Sequence, residues 1–308
     1  MLRIERILYP TDFFPCAAQA LDHAVYLARR YRAELHALHA VVLHADDPHN
    51  PAAYVPDLEQ AQRRVEELAK SSLEDAFRDR GDAGLRVVKA RRRGFSAADV
   101  ILEYADEREI DLVVMGTHGR RGLGHLFLGS VAEEVVRLAT CPVLTIRERR
   151  RPLEAEAVER ILVPVDFSSH SSGALRYARE IATTYGAKLD LVHVVEQVLH
   201  PEFYETAGVA PGAAGPELER RARAEMARLV EEGSDPDVAF EAHVVDGRAA
   251  RDLVEFARER ESDLIVIATH GLTGIRHLLL GSVAEKVVRS APCPVLTVKP
   301  FGRSLLPD

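Results

Sequence analysis

The chain has 308 residues, enough for two ordinary domains, and its 47% hydrophobic and 29% charged content is that of a protein folded around apolar cores. Lys plus Arg is 40 and Asp plus Glu is 48, a formal charge of −8 that argues against nucleic acid or an acidic membrane as the main partner. No apolar run approaches membrane-spanning length, Met1-Leu2-Arg3-Ile4-Glu5-Arg6 is no signal peptide, and three cysteines without a Cys-x-x-Cys pair fit a reducing cytoplasm.

In chain order, Arg6 to Tyr9 reads as a short apolar strand running into Pro10-Thr11-Asp12-Phe13. Ala17 to Tyr31 has helical spacing, with Ala20, Leu21, Ala24, Leu27 and Ala28 inward. Glu34 to Val42 is a second strand carrying His36 and His39, and a polar loop from Ala45 to Pro56 leads to a long charged helix, Asp57 to Arg80. Leu85 to Ala90 is a third strand and Ala97 to Arg108 a third helix. Val113 to Met115 is a fourth strand, apolar and β-branched as expected for one buried on both faces. Gly129-Ser130 opens a fourth helix with Val131, Val135 and Leu138 on one face, and Val143 to Ile146 is the fifth strand. Strand–helix alternation of this kind predicts a parallel sheet with right-handed crossovers.

The chain then repeats itself. Ile161 to Phe167 restates Ile7 to Phe13 at an offset of 154, Leu189 to Val195 restates the second strand with His193 on His39, and Val238 to Val244 is the next strand. The loop Pro201 to Pro216 and the helix Pro216 to Glu232 replace the first loop and long helix. Leu112 to Thr145 returns from Leu264 to Thr297 without a gap. A repeat of this length is a duplicated domain. The expected division is a first domain at 1–147, a linker at 148–158, a second domain at 159–300 and a frayed tail at 301–308. Cys141 and Cys293 share one repeat position and read as small core residues, whereas Arg91-Arg92-Arg93 and Arg149-Arg150-Arg151 read as a solvated strand end and linker. Each domain closes on an apolar strand, Val143 to Ile146 or Val295 to Val298, which would lie at a sheet edge; pairing the two would cover both and make an internal pseudo-dimer, with homodimerisation through edge strands as a further expectation.

Chemistry concentrates at Gly116-x2-Gly119-x9-Gly129-Ser130 and its copy Ala268-x2-Gly271-x9-Gly281-Ser282. Glycine at the end of a strand permits positive φ and close approach of a ligand. The helix that follows offers unpaired N–H groups to an anion. Strand, glycine loop and helix start together suit nucleotide phosphates at the carboxyl edge of a doubly wound sheet. The glycines are no P-loop, since no Gly-Lys-Ser or Gly-Lys-Thr follows.

Joined to Pro10-Thr11-Asp12-Phe13 and Cys141-Pro142-Val143-Leu144, this motif resembles the ATP-binding kind of universal stress protein (UspA) domain, and it does so in both halves. The resemblance implies two doubly wound, open parallel-sheet domains of the Rossmann-like, adenine nucleotide alpha hydrolase-like α/β class, each binding one adenine nucleotide. It implies that Pro10, Thr11 and Asp12 reach the adenosine end, with Ala40 and Val41 lining the base pocket. Gly116, His118 and Gly119 would pass ribose and phosphates, and Gly129, Ser130 and Val131 would hold the phosphates through N–H groups and the Ser hydroxyl. In the second copy the matching positions are Pro164, Val165, Asp166, Val194, Ala268, His270, Gly271, Gly281, Ser282 and Val283.

The copies depart from the pattern at different places. Ala268 stands where the first motif glycine is expected; if that position needs positive φ, alanine costs about 1 kcal/mol and its methyl crowds a ligand, which ranks the first site above the second for ATP. Phe14-Pro15 stands where the second copy has Ser168-Ser169, removing a helix cap. Several residues keep a plain structural alternative. Asp12 and Asp166 could cap turns, His118 and His270 could be solvated loop residues, and His39 and His193 could be core histidines. His44, Asp46, Asp47 and His49, with His200 and Glu202 in the second copy, lack the spacing of a metal site, so no native metal is expected. No nucleophile or general base stands out, so no catalytic residue is assigned. The expected function is a cytoplasmic, nucleotide-dependent stress or regulatory module. ATP, which usually brings Mg²⁺, would order the loops 45–56 and 201–216 for a regulatory protein to read. A slow ATPase or nucleotide hydrolase using the same pockets, and a scaffold with empty pockets, are the alternatives.

Overall fold

The computed structural model describes residues 2–42, 58–78, 84–117, 129–148, 158–196, 215–231, 238–269, 280–299 and 301–306. The chain separates into two units, one holding Arg3–Ala155 with Phe301–Leu305, the other Glu156–Pro300 with Met1–Leu2 and Leu306–Asp308.

The first unit contains β1 (Arg6–Pro10), α1 (Pro15–Tyr31), β2 (Glu34–Val42), α2 (Leu58–Arg78), β3 (Arg86–Gly94), α3 (Ala97–Glu107), β4 (Leu112–Gly116), α4 (Ser130–Leu138) and β5 (Val143–Ile146). Its strands pair in parallel in the order β3-β2-β1-β4-β5. The second unit contains β6 (Arg160–Pro164), α5 (Ser169–Tyr185), β7 (Lys188–Val195), α6 (Gly215–Glu231), β8 (Phe240–Asp246), α7 (Ala249–Glu259), β9 (Leu264–Ala268), α8 (Ser282–Ser290) and β10 (Val295–Val298). Its strands are again parallel, in the order β8-β7-β6-β9-β10. Each unit is thus the α/β, doubly wound open sheet that the repeating strand–helix pattern predicts.

The central strands are apolar on both faces because helices cover both. Ile7 and Leu8 of β1, Leu35 and Leu38 of β2, and Val113 and Val114 of β4 are fully buried, each contributing about 1.5–3 kcal/mol of burial. Helix α1 turns Cys16, Ala17, Ala20, Leu21, Ala24, Leu27 and Ala28 inward, a stripe at helical spacing whose small members let the helix lie close to the sheet. Helix α2 does the same with Ala69, Leu73 and Phe77, four residues apart.

In both units the chain order reverses between the first and fourth strands. That switch point, at the carboxyl ends of β1 and β4 and of β6 and β9, is where open α/β sheets leave a crevice for ligands. The opposite, amino edge is closed by an aspartate in each copy. Asp111 Oδ2 accepts the N–H groups of Glu5 and Arg6 at 2.8 and 2.9 Å, and Asp263 Oδ2 accepts those of Glu159 and Arg160, both at 3.0 Å.

Two expectations change. Strand β3 runs on to Gly94, past the expected end at Ala90, and Arg91, Arg92 and Arg93 are its exposed end, as their charge suggests. With Arg86 and Lys89 they load that edge with positive charge, a composition that discourages pairing with another strand. The tail over 301–305 is not frayed. The Arg3 N–H donates to the Leu305 carbonyl at 2.8 Å and the Arg303 N–H to the Thr140 carbonyl at 2.9 Å. The Arg303 guanidinium reaches Asp111 at 3.1 Å, and Leu305 is buried. Gly302 makes this possible, with φ 84° and no room for a side chain against the Thr140 backbone.

Candidate functional site

The switch point of the first unit begins where β1 ends. The Thr11 N–H donates to the Leu38 carbonyl at 2.9 Å, so the chain stays on the sheet for one residue past Pro10. Thr11 Oγ1 accepts the Phe13 N–H at 3.0 Å and lies 3.0 Å from the Tyr9 hydroxyl, which donates to the Ala17 carbonyl at 2.9 Å. Asp12 Oδ1 accepts the Phe14 N–H at 3.1 Å, and Asp166 Oδ1 accepts the Ser168 N–H at 3.0 Å and the Ser168 hydroxyl at 2.6 Å. Both aspartates therefore shape the turn. A carboxylate has two acceptor oxygens, and the Phe14 N–H occupies only one of those of Asp12. Both aspartates are half-buried at the carboxyl edge. As the sequence suggests, Phe14 gives α1 no side-chain cap, whereas Ser168 Oγ accepts the Ser171 N–H at 3.2 Å at the head of α5.

Gly116 is the last residue of β4, and its role differs from the expected one. It is not among the residues of positive φ. A β-carbon there would stand 2.9 Å from Cys16 Sγ, 3.0 Å from the Cys16 carbonyl carbon and 3.1 Å from the Ala17 nitrogen. The constraint is the closeness of α1's first turn, not backbone conformation. Ala268 ends β9 likewise outside positive φ, so the conformational argument for ranking the first site above the second falls away.

Beyond these strands the two units repeat one hydrogen-bond pattern. The Thr117 N–H donates to the Ile146 carbonyl at 2.9 Å and the Gly129 N–H to the Thr117 carbonyl at 2.7 Å. The copies are Thr269 to Val298 at 3.0 Å and Gly281 to Thr269 at 2.8 Å. The loop thus leaves and returns at one point beside the switch. The Gly129 and Gly281 N–H groups are spent on this closure, so they do not serve an anion as the resemblance implied; each glycine is instead the N-cap of its helix, extended at φ −64° and φ −59°. The first intrahelical bonds run from the Glu133 N–H to Gly129 and from the Glu285 N–H to Gly281, both at 2.9 Å. The N–H groups of Ser130, Val131 and Ala132, and of Ser282, Val283 and Ala284, consequently have no partner inside their helices. Neither N-cap has a side-chain acceptor for them. Ser130 and Ser282 are exposed, Val131 and Val283 half-buried. Such an end attracts negative charge through its amides and the helix dipole together.

Of the remaining predicted site residues, Pro10 and Val41 are buried, Val165 likewise, and Ala40, Pro164 and Val194 half-buried, all on or just past the ends of β1, β2, β6 and β7. His118, Gly119, His270 and Gly271 lie outside the described residues, as do His44, Asp46, Asp47, His49, His200, Glu202 and nearly all of the loops 45–56 and 201–216. Two pairs that the sequence left as core histidines and turn residues also belong at this edge. The Phe13 ring packs on His39 at a centroid distance of 4.7 Å, and the Phe167 ring on His193 at 4.6 Å. Their signal was available in the sequence as identity at matching positions of both copies.

A separate charged cluster sits near the amino ends of β6, β7 and β8. Asp190, fully buried, accepts from Arg160 at 3.1 Å, His243 Nε2 at 3.0 Å and Arg260 at 3.3 Å. Glu241 pairs with Lys188 and Arg260, and these two cations hold its carboxyl down at about 2. Asp190, Glu241 and His243 could converge on a metal ion, but the Arg and Lys partners already neutralise both carboxylates, so the cluster reads as a partly exposed ion network around the buried Asp190. In the first unit the place of Asp190 is taken by His36, whose Nδ1 is 2.9 Å from the Tyr104 hydroxyl and whose Nε2 faces Glu34. Burial pushes the His36 imidazole below its usual pKa, with Glu34 opposing. Cys16, Cys141 and Cys293 are all free thiols in the core.

The profile of the universal stress protein family matches residues 3–147 and again 157–299. The chain belongs to the universal stress protein family. Universal stress protein Rv2005c of Mycobacterium tuberculosis is 33% identical over 191 residues, which cover 62% of this chain and 62% of that protein, so the matched part spans less than two thirds of the relative's length. Universal stress protein YxiE of Bacillus subtilis is 34% identical over 148 residues, 46% of this chain and 98% of its own. A crystal structure of a universal stress protein from Archaeoglobus fulgidus is similar with a TM-score of 0.69, covering 96% of this chain and 98% of that one at 20% identity, a likeness of fold. Among the described residues no helix is long and apolar enough to cross a membrane.

Proposed function

We propose that each Usp unit binds an adenine nucleotide at its switch point and that the protein is a nucleotide-dependent regulatory module, not an enzyme. One observation carries this reading. In both units a helix opens at the switch point with three amides lacking an intrahelical partner and no side-chain cap, after a loop closed by the same glycine-to-threonine bond. Phosphate oxygens satisfy such amides. Asp12 and Asp166, at the end of the neighbouring strand, would take the hydroxyl or amine groups of the nucleoside, and Ala40, Val41 and Val194 would flank the base. Mg²⁺ would accompany a triphosphate on its phosphates. Buried free thiols suit a reducing compartment, and we place the protein in the cytoplasm.

Calorimetric titration with ATP tests this. Ser130→Pro removes one first-turn amide and the hydroxyl, yet proline is well tolerated at the first helical position. It should weaken binding to the first unit by about tenfold, and Ser130→Ala, which removes only the hydroxyl, should weaken it less. Equal affinity in Ser130→Pro and the parent would overturn the role given to α4.

A further inference from the structure

The turn after the first strand of each unit holds a strain that no glycine explains. Phe13 has φ 67° and Phe167 φ 62°. Bulky residues rarely adopt this left-handed conformation, and it persists only where the surroundings hold it. In both units the ring lies against a histidine of the next strand. His39 and His193 carry the phenyl rings at 4.7 and 4.6 Å. Their Nδ1 atoms lie 2.8 Å from the carbonyl oxygens of Thr11 and Val165, the residues immediately before the loop aspartates. A carbonyl oxygen only accepts, so Nδ1 carries the proton in each case. One imidazole therefore grips the backbone before the aspartate and the ring after it.

The duplication separates what the turn requires from what merely surrounds it. Tyr9, Thr11 and Phe14 of the first unit are Val163, Val165 and Ser168 in the second. The hydroxyl bonds that Tyr9 and Thr11 make cannot form from valine. The histidine, the phenylalanine, the positive φ and the aspartate accepting a bond from two residues ahead occur in both units. A glycine at the strained position would remove the strain and leave the turn loose. Phenylalanine held on imidazole gives one rigid arrangement of the intervening carboxylate.

We infer that Phe13 with His39, and Phe167 with His193, are positioning residues that fix where Asp12 and Asp166 stand at the rim of each crevice, and that nucleotide affinity depends on them through the aspartates. This rests on the nucleotide-binding reading above and adds to it the groups that orient its nucleoside end. Residues acting through one carboxylate are not independent, so a double-mutant cycle is decisive. The full chain is used with its second crevice weakened by Ser282→Pro together with Asp166→Asn, and the ATP affinity of the first crevice is measured by calorimetry for this background, His39→Ala, Asp12→Asn and the double variant. Asparagine keeps the oxygen that accepts the Phe14 N–H and removes only the charge. His39→Ala should weaken ATP by about tenfold, and that loss should vanish once Asp12 is Asn. Phe13→Leu, apolar at a half-buried position, replaces His39→Ala in the cycle if circular dichroism shows that the latter does not fold, with the same expectation. Losses that simply multiply would overturn the positioning role and leave nucleotide binding standing. A parent chain that takes up no ATP would remove the nucleotide reading and this inference with it.

Discussion

Gly116→Ala tests why glycine closes β4. A β-carbon would meet one side-chain atom, Cys16 Sγ at 2.9 Å, and two backbone atoms of α1, at 3.0 and 3.1 Å. The backbone contacts cannot be relieved by a rotamer change, so the first turn of α1 must move. Overpacking of this kind costs about 1–3 kcal/mol. Replacing a strand glycine whose φ is already ordinary returns about 0.5–1 kcal/mol, which leaves a net loss of about 0–2.5 kcal/mol, centred near 1. Adding Cys16→Ala removes only the sulfur contact and should restore less than half of that loss. Urea denaturation gives the stability, and hydrogen exchange of α1 amides localises the effect. Because the head of α1 adjoins the turn carrying Asp12 and Phe13, ATP affinity of the first crevice should fall as well. An unchanged midpoint, or full rescue by Cys16→Ala, would refute the claim that the helix backbone sets this constraint.

Gly302→Ala should detach the tail and cost about 2–3 kcal/mol, chiefly the burial of Leu305; the loss should not exceed that of deleting 301–308, and denaturation of both variants checks this. Asp190→Asn removes the charge shared by Arg160, Arg260 and His243 and should destabilise the second unit by about 1–3 kcal/mol, the two guanidiniums being about a third exposed, read from the same curves. Because burial holds the His36 pKa below 6.5 in the fold, the unfolded chain binds more protons just below pH 6.5. Stability should therefore fall as pH drops from 6.5 toward the lower folded value, and His36→Gln should flatten that part of a pH–stability profile.

Most strands of the parallel sheets are plain in the sequence because strands covered on both faces are rich in apolar residues. Glu34–Val42, Val143–Ile146 and Val295–Val298 match residue for residue. Strand β3 was read short because its last residues are arginines, and an outer strand tolerates side chains that a central one excludes. The tail was misread because its partner Asp111 lies 192 residues away from Arg303, a separation no local pattern can reveal. At the site, the glycine and serine spacing located α4 and α8 and the switch point. It did not show that the Gly129 and Gly281 amides close the loop, nor that Gly116 answers to packing against Cys16 and Ala17. Least legible was the turn at Phe13 and Phe167. Positive φ is ordinarily signalled by glycine or asparagine, and here it falls on phenylalanine, whose ring lies on a histidine of the neighbouring strand.

The most direct measurement is to purify the protein, incubate it with excess ATP, remove the free ligand, denature the chain and quantify what is released. Twin crevices built alike predict an adenine nucleotide in a ratio of one per Usp unit, reduced in Ser130→Pro and reduced further when Ser282→Pro is added. A folded parent chain that retains no nucleotide, or one whose retention ignores both substitutions, would contradict the assignment of these helix ends as phosphate sites.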